Sequence, residues 1–406
     1  MDKEVENEFL LLLGQIFDFD SLKLKVETQP QLSNLLSGFW ITDALLSCLR
    51  LVIRNEKLDD AGKGLDYLYD QVHILLNTGH YSEVEDRHRV LFALICLVRS
   101  YLLVVGNKLE EALTYCDKGL LLGLDVDGDV LAEAAELLCA VLGPETPINF
   151  SKPQLQPEPK SLSTSIQIPV VDMPTLETFY RLYFKPQKPV IIRGLVNQWS
   201  CFGKWNFPYL YERCSRRLVP VELGSSYVDA DFQQQLLTFG EYLRDFIAPA
   251  EPKQSGYLAQ HRLLDQIPSL RREILIPDYC ALATTSTEEE KMEPELINCF
   301  IGPATTVSPL HSDPRHNFFC QVEGRKFVRL IDPRHSDKIY LHDDFLRANS
   351  SQVDVEHPDY DEFPLFREVE CEDFVMEAGD CLFIPRRYLH YVRALQPSIS
   401  ISIWFG

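Results

Sequence analysis

Two histidines and one aspartate in this chain have the types and spacing of a metal-binding set. His311 and Asp313 flank Ser312, and His390 follows much later, in the strand-like run 389–392. Side chains alternate between faces along a strand, so His311 and Asp313 point the same way. Two imidazoles and one carboxylate form the facial set that holds non-haem Fe(II) with open coordination positions. Taken alone the pattern is weak, because His-x-Asp occurs by chance in many chains.

The residues around this triplet predict strands. Two apolar runs, 317–322 and 326–331, are joined by a Gly-containing turn, which predicts a hairpin with Lys326 opening its second strand. The stretch 379–390 has the order turn, buried strand, Pro-containing loop and histidine, and 398–405 alternates like a last strand. Many short strands with turn signals are typical of a jelly roll, whose interior supplies the dry pocket that iron chemistry requires.

The C-terminal sequence resembles a known family, the JmjC-domain 2-oxoglutarate oxygenases of the cupin superfamily. The resemblance runs from about Ile168 to the last residue and includes Lys-Pro-Val-Ile-Ile-Arg-Gly at 188–194. It implies that His311, Asp313 and His390 bind Fe(II), with 2-oxoglutarate as co-substrate and O2 as oxidant. Within the family, four further segments are similar to the arginyl hydroxylases: 256–261, 276–280, 308–311 and 388–395.

The same resemblance implies a pocket for 2-oxoglutarate. Lys326 would meet the distal carboxylate, helped by Tyr257 and Ser308, while Asn317 and Trp404 would line the pocket. A buried dianion needs a cation and several hydrogen-bond donors, because a carboxylate without partners is very costly outside water. Each residue alone has an ordinary structural explanation. Their joint occurrence in register with the triad favours the cofactor pocket.

Three functional hypotheses remain open at the level of sequence. Oxidation of a carbon gives a stable alcohol or, where that carbon carries nitrogen, a product that loses formaldehyde. The triad alone does not choose between these outcomes, so an arginyl hydroxylase stands beside a histone methyl-lysine demethylase. The third hypothesis is an inactive cupin that acts as a binding scaffold. The intact triad and Lys326 argue against it.

Charge and three pocket residues bear on the substrate. The chain carries 60 Asp and Glu against 39 Lys and Arg. This balance favours basic protein partners of the histone or ribosomal type and disfavours direct binding of nucleic acid, although solubility explains it equally well. Glu222 is the candidate partner for a substrate guanidinium, with an exposed surface Glu as the plainer alternative. Gln260 and Phe300 complete the substrate set. Phe300 stands where the similar hydroxylases carry an indole, so the N–H donor is lost.

The chain is predicted to have the α+β fold class, with an N-terminal all-helical domain and a C-terminal double-stranded β-helix of the cupin/JmjC type. Residues 1–145 form the helical interaction domain, whose partner is unknown; 146–169 is a linker rich in Pro, Ser and Gln; and 170–406 is the catalytic domain. Apolar residues three and four apart predict helices over 40–53, 61–76, 84–105, 109–122 and 130–142.

Cysteine usage and hydropathy indicate an intracellular protein. The 11 cysteines are scattered without a C-x-x-C pair, which argues against a disulfide scaffold or structural zinc. The first residues are charged, unlike a signal peptide. The apolar run 90–105 contains Arg99 and is short for a membrane span, so a buried helix and no membrane contact are expected. The resemblance implies a chromatin regulator in the nucleus, with the cytoplasm as a second compartment.

Overall fold

The structure is a computed structural model that forms two compact units. It describes residues 18–80, 83–124, 129–152, 155–160, 162, 165–224, 233–252, 254–282, 294–344 and 347–406. The first unit comprises Met1–Glu145 with two later segments, Arg216–Leu218 and Asp265–Ser269. The second comprises Thr146–Ser215, Val219–Leu264 and Leu270–Gly406.

The first unit is helical because its apolar residues recur at three- and four-residue spacing and form one core. Three predicted helices agree with α3, α6 and α7, whereas α4 begins earlier than predicted and α5 later. Two helices, α1 and α2, were not predicted. The helices described in this unit are α1 Phe19–Thr28, α2 Pro30–Leu36, α3 Trp40–Ile53, α4 Leu58–Leu76, α5 Asp86–Val105, α6 Leu109–Leu122 and α7 Val130–Leu142.

Helix α5 lies at the centre of this core. It packs against α4 and α6, and it buries the unbroken run from Val90 to Val98. By length and composition α5 could cross a membrane, but 72% of its most apolar window lies inside the unit. A helix that is apolar on all sides is buried in a core, as the sequence predicted for 90–105.

A buried ion pair ties the later segments of the first unit to α6. Asp117 is fully buried and accepts hydrogen bonds from the Arg217 guanidinium (2.7 Å), the Leu218 backbone N–H (2.8 Å) and the Gln266 side chain (2.8 Å). The buried Asp117 carboxylate therefore has both an opposite charge and further hydrogen-bond donors. A buried charge is tolerated under these conditions.

The second unit contains two β-sheets whose apolar side chains form its core. One sheet has the strand order β1-β11-β10-β13-β8 and the other β2-β3-β12-β9-β14-β7-β6-β4-β5. Together with the helical first unit, this architecture confirms the predicted fold class. The strands are β1 Ser165–Ile166, β2 Val170–Asp172, β3 Val190–Arg193, β4 Leu218–Leu223, β5 Gln233–Thr238, β6 Gly256–His261, β7 Leu296–Gly302, β8 Val307–Ser312, β9 His316–Glu323, β10 Lys326–Ile331, β11 Cys371–Met376, β12 Cys381–Ile384, β13 Leu389–Ala394 and β14 Ser398–Phe405.

Short helical segments connect the strands. The α-helical ones are α8 Leu176–Phe179, α9 Phe207–Cys214, α10 Phe239–Tyr242, α11 Leu263–Gln266 and α12 Pro268–Arg271. Two π-helical turns, Tyr180–Phe184 and Leu243–Ile247, extend α8 and α10. The 3₁₀ turns are Val196–Gln198, Asp278–Leu282, Pro333–Lys338 and Pro364–Glu368.

The predicted hairpin of β9 and β10 was wrong. Strand β9 pairs with β12 and β14, whereas β10 pairs with β11 and β13 in the other sheet. The turn at Gly324 therefore carries the chain between sheets. Both strands are buried along nearly their whole length, so the apolar pattern could not tell a hairpin from two strands in facing sheets. Gly324 has φ +76°, and a Cβ there would lie 2.2 Å from the Pro397 carbonyl oxygen.

The described part of the predicted linker 146–169 lies within the second unit. The backbone N–H of Gln156 donates to the carbonyl of Leu395 (2.8 Å). The carbonyl of Lys160 accepts a hydrogen bond from Arg329 (3.1 Å), which is buried and paired with Asp373. These two bonds satisfy the Gln156 N–H and the Lys160 carbonyl within the second unit, as backbone polar groups require.

We expect Asp117→Ala to lower the free energy of unfolding by about 3 kcal/mol or more, because it leaves the Arg217 guanidinium buried without its partner. Glu110→Ala is the matched control, since Glu110 lies on the same helix and pairs with Arg216 at the surface. We expect the control to lower it by less than about 1 kcal/mol. Urea unfolding followed by circular dichroism measures both changes. Equal losses would contradict a special role for the buried pair.

Candidate active site

Strand pairing brings the three predicted metal ligands together. His311 lies on β8, the edge strand of the five-stranded sheet, and it faces His390 on β13 directly across the register. Asp313 follows immediately after β8. A bulge between His390 and Val392 locally changes the pairing of β13. Bulges re-aim side chains and are frequent beside active sites.

The three side chains have the geometry of a metal-binding group. Their ligand atoms all lie within 4.8 Å of one another. The Asp313 carboxylate is 3.8 Å from His311 Nε2 and 3.5 Å from His390 Nε2. The Nδ1 atoms instead hydrogen-bond to the backbone carbonyls of Pro309 (2.7 Å) and Tyr388 (3.0 Å). These bonds fix the ring orientations and turn both Nε2 atoms towards the Asp313 carboxylate, so the residues present fit a facially bound Fe(II).

Burial sets the protonation of the group. Desolvation, reinforced by the nearby His390, lowers the pKa of His311 to about 4. Burial opposes ionisation of Asp313, but the hydrogen bond with His390 holds the pKa of that carboxyl below its usual range. Burial likewise opposes protonation of His390, but the same contact holds its pKa above the usual value. At neutral pH His311 is therefore an uncharged imidazole and Asp313 a carboxylate. These are the forms that coordinate a metal.

A buried lysine lies against three aromatic rings that line the cavity, those of Tyr257, Phe300 and Phe319. Lys326 on β10 is 1% exposed, and no carboxylate among the described residues pairs with it. Its Nζ donates to the Tyr257 hydroxyl (3.3 Å) and lies 5.1 Å from the Phe319 ring centroid and 5.7 Å from that of Phe300. Burial lowers the pKa of Lys326 to about 7. An anionic ligand would supply the missing countercharge.

The four residues predicted to accompany Lys326 line one cavity: Tyr257, Ser308, Asn317 and Trp404. Tyr257 bonds to Ser308 on β8. The Asn317 carboxamide oxygen accepts from Ser402 (2.8 Å), which turns its NH2 group away from that serine. Trp404 pairs with Asn317 in the strand register, and its buried indole N–H finds no acceptor among the described residues. A buried cation and an unpaired N–H donor fit a carboxylate of 2-oxoglutarate.

One cavity of about 320 Å3 joins the metal-binding group to these donors. The three predicted substrate residues, Glu222, Gln260 and Phe300, also line it. Glu222 pairs with Tyr257 in the strand register. Gln260 is exposed, has φ +47° and lies in a bulge of β6. Such strained positions cluster at functional sites.

Sequence reasoning missed His316, which anchors the loop before His390. The imidazole is 5% exposed and packs 4.8 Å from the Phe184 ring. Its Nδ1 accepts the backbone N–H of Arg386 (3.1 Å), and the next N–H, of Arg387, donates to the Asp313 carbonyl (2.7 Å). Burial lowers the pKa of His316 to about 4, so Nδ1 stays available as an acceptor. No spacing rule identifies a residue whose partner is a distant backbone N–H.

A second missed residue, Asn349, covers the open edge of β8. Its carbonyl accepts the Ser312 N–H (3.1 Å), and its side-chain NH2 donates to the Ser312 carbonyl (3.2 Å). Ser312 lies between two of the predicted ligands, and Ser350 forms a bridge with His311. The segment therefore satisfies backbone groups that an edge strand leaves unpaired.

Comparison with known proteins identifies relatives across most of the chain. The sequence profile described as "cupin-like domain" matches residues 176–406. The chain is 34% identical to lysine-specific demethylase 8 of Xenopus tropicalis over 84% of this chain and 87% of that protein. It is 36% identical to the Danio rerio protein of the same name (84% and 86%). Jumonji C domain-containing protein 5 of Drosophila melanogaster is 33% identical (86% and 87%).

We expect His316→Phe to weaken Mn(II) binding about tenfold, because it removes the acceptor that holds the loop between Asp313 and His390 while keeping a ring of similar size. His316→Asn is the matched control, since its Oδ1 can still accept the Arg386 N–H. Isothermal titration calorimetry measures both affinities. If His316→Phe bound Mn(II) as tightly as the unchanged protein, the anchoring role of His316 would be wrong.

Proposed function

The chain belongs to the cupin-like JmjC family of 2-oxoglutarate-dependent dioxygenases, and on that premise we propose that it hydroxylates arginyl side chains in basic proteins. The family implies Fe(II) and 2-oxoglutarate as cofactor and co-substrate. Its relatives are protein-modifying enzymes. The site residues, the arginyl preference and the basic nature of the substrate are parts of the proposal.

Each part of the cavity has a distinct task in this proposal. His311, Asp313 and His390 hold Fe(II), which with 2-oxoglutarate and O2 supplies the oxidising chemistry. Lys326, with the donors around it, binds the distal carboxylate of 2-oxoglutarate and fixes its orientation. The buried strands that carry these residues exclude water, which strengthens the electrostatic contacts. Specificity for the side chain to be oxidised then depends on the remaining wall of the cavity.

The observation that carries the arginyl assignment is a carboxyl group without a cation. Glu222 lines the cavity, and no Lys, Arg or His among the described residues pairs with it. Burial raises the pKa of Glu222 to about 7, so the empty cavity disfavours its charged form. A substrate guanidinium would restore the charge and bind both carboxylate oxygens in a planar, bidentate contact.

The ring contacts favour arginine over methyl-lysine. A methylated ammonium has few or no N–H donors and is usually recognised by a cage of aromatic faces. In this cavity the rings of Tyr257, Phe300 and Phe319 lie around Lys326, at the end proposed for 2-oxoglutarate. Two of the relatives are nevertheless named lysine-specific demethylase, so demethylation is the alternative that experiment must separate.

The excess of acidic residues supports a basic protein substrate of the histone or ribosomal type. A net charge of -21 raises the rate of encounter with cationic segments and opposes approach to nucleic acid. A substrate of this kind places the enzyme in the nucleus, with the cytoplasm as a second compartment.

We expect mass spectrometry to detect the gain of one oxygen on arginine when the protein, Fe(II) and 2-oxoglutarate are incubated with basic peptides. Matched peptides with methyl-lysine should lose no methyl group and release no formaldehyde. Glu222→Gln should lower hydroxylation at least tenfold while 2-oxoglutarate binding persists, because it removes the countercharge alone. His311→Ala should abolish turnover with the fold retained. Loss of methyl groups in place of oxygen gain would establish the demethylase.

A second prediction concerns the pH dependence of 2-oxoglutarate binding. Only the ammonium form of Lys326 attracts a carboxylate, and with a pKa of about 7 in the empty site that form declines as pH rises above 7. The affinity should therefore fall about tenfold per pH unit above pH 7. The bound anion favours the ammonium, so at pH 8 binding should take up nearly one proton.

Calorimetry in buffers of different ionisation enthalpy measures this proton uptake. Lys326→Arg is the control, because a guanidinium stays charged throughout the range and should remove the pH dependence. An affinity that is constant between pH 7 and 9 would show that Lys326 is not the titrating group.

A further inference from the structure

A surface of the helical unit, separate from the cavity, has the composition of a docking site. Trp40 at the start of α3 is 50% exposed, Tyr67 in α4 is 56% exposed and Ile74 is 58% exposed. The rings of Trp40 and Tyr67 lie 6.3 Å apart at 45°, so they form one surface across two packed helices. Exposed apolar side chains that are grouped in this way can mark interaction sites on soluble proteins.

Two carboxylates flank these rings. Asp43 lies three residues after Trp40 and Asp70 three residues after Tyr67, and helical spacing puts each on the same face as its ring. Both are exposed, and neither forms an ion pair with a base in the part of the chain that the structure describes. Lys63 is an exposed base on the same row of α4. We call Trp40, Asp43, Tyr67, Asp70 and Ile74 the aromatic face.

The excess of acidic residues is concentrated in the first 145 residues of the chain. Residues 1–145 contain 25 Asp and Glu against 12 Lys and Arg, an excess of 13 acids, whereas residues 146–406 have an excess of 8 over a much longer stretch. A field of this sign attracts cationic partners and repels another copy of the same acidic surface. Exposed Trp and Tyr faces bind Lys and Arg side chains through cation–π contacts.

We propose that the aromatic face docks a Lys- and Arg-rich segment of a partner protein. A cationic side chain of the partner lies over the Trp40 and Tyr67 rings, and its neighbours pair with Asp43 and Asp70. Ile74, two turns after Tyr67, offers an apolar contact at the end of the row. The occupant is a basic protein segment and not a second copy of the chain, because the acidic charge of two such surfaces would oppose their association. This proposal does not depend on the reaction at the cavity.

Fluorescence anisotropy with a labelled peptide of Lys, Arg and Gly residues tests the docking. All proteins carry His311→Ala and Glu222→Gln, so that binding at the cavity does not contribute. Trp40→Ala with Tyr67→Ala should weaken binding about tenfold. The matched control is Leu24→Ala with Leu124→Ala, which truncates two exposed apolar side chains of the same unit and should leave binding unchanged.

A charge comparison separates local pairing from the overall field. Asp43→Asn with Asp70→Asn should weaken binding more than Asp20→Asn with Glu133→Gln, although each pair removes two negative charges at exposed positions. Equal effects would overturn the proposal and leave only non-specific attraction. Self-association in sedimentation that the Trp40 and Tyr67 substitutions abolish would also overturn it, in favour of a contact between copies.

Activity measurements keep this result distinct from the proposed reaction. In the otherwise unchanged chain, Trp40→Ala with Tyr67→Ala should hydroxylate a short arginine peptide at the normal rate, because neither residue lines the cavity. Failure to hydroxylate any peptide in the unchanged chain would count against the reaction and not against the docking. Lost peptide binding with retained turnover is the result expected from the aromatic face.

Discussion

The pairing of β8 with β13 is the constraint on which the site depends. His311 and His390 face each other in that register, and Asp313 completes the group only because β8 ends beside it. A slip of one residue would turn His390 to the opposite face of the sheet. Three other features help to position the two strands and the loop between them. The bulge in β13 re-aims the strand, Asn349 covers the open edge of β8, and His316 holds the loop that leads into β13.

Two ionisable groups of opposite kind, Glu222 in the cavity wall and Lys326 behind its aromatic rings, have no ion-pair partner among the described residues. Lys326 is 1% exposed and Glu222 is partly buried, and neither pairs with an opposite charge in the part of the chain that the structure describes. Each lowers the stability of the empty protein, because burial disfavours the charged form. The two are not joined in an ion pair, so both remain available. In the proposed function an anionic co-substrate and a cationic substrate would supply the two missing countercharges, and their binding would relieve a cost that folding has incurred.

The sequence indicates which residues could form the site better than it indicates how the strands pair and which backbone groups the side chains contact. The grouping of His311, Asp313 and His390 and the helices α3, α6 and α7 follow from residue type and local spacing, whereas the role of Lys326 rests on the family resemblance. The β9–β10 hairpin failed because two strands buried on both faces carry no alternation that would tell which sheet each joins. His316 and Asn349 were missed for another reason. Each bonds to the backbone of a residue far away in the sequence, and backbone groups leave no signature in side-chain patterns.

Acidic residues could serve two different tasks, long-range attraction of a basic partner and selective contact with one side chain. The net charge does not distinguish these tasks, but the distribution of acidic residues along the chain does. In the proposed function Glu222, which has no cationic partner among the described residues, binds a single guanidinium, whereas residues 1–145 carry most of the excess acid. Attraction to many carboxylates is long in range but weakly selective, and salt screens it. A single buried carboxylate is selective but acts only at contact. Each surface can therefore be optimised for one of these tasks.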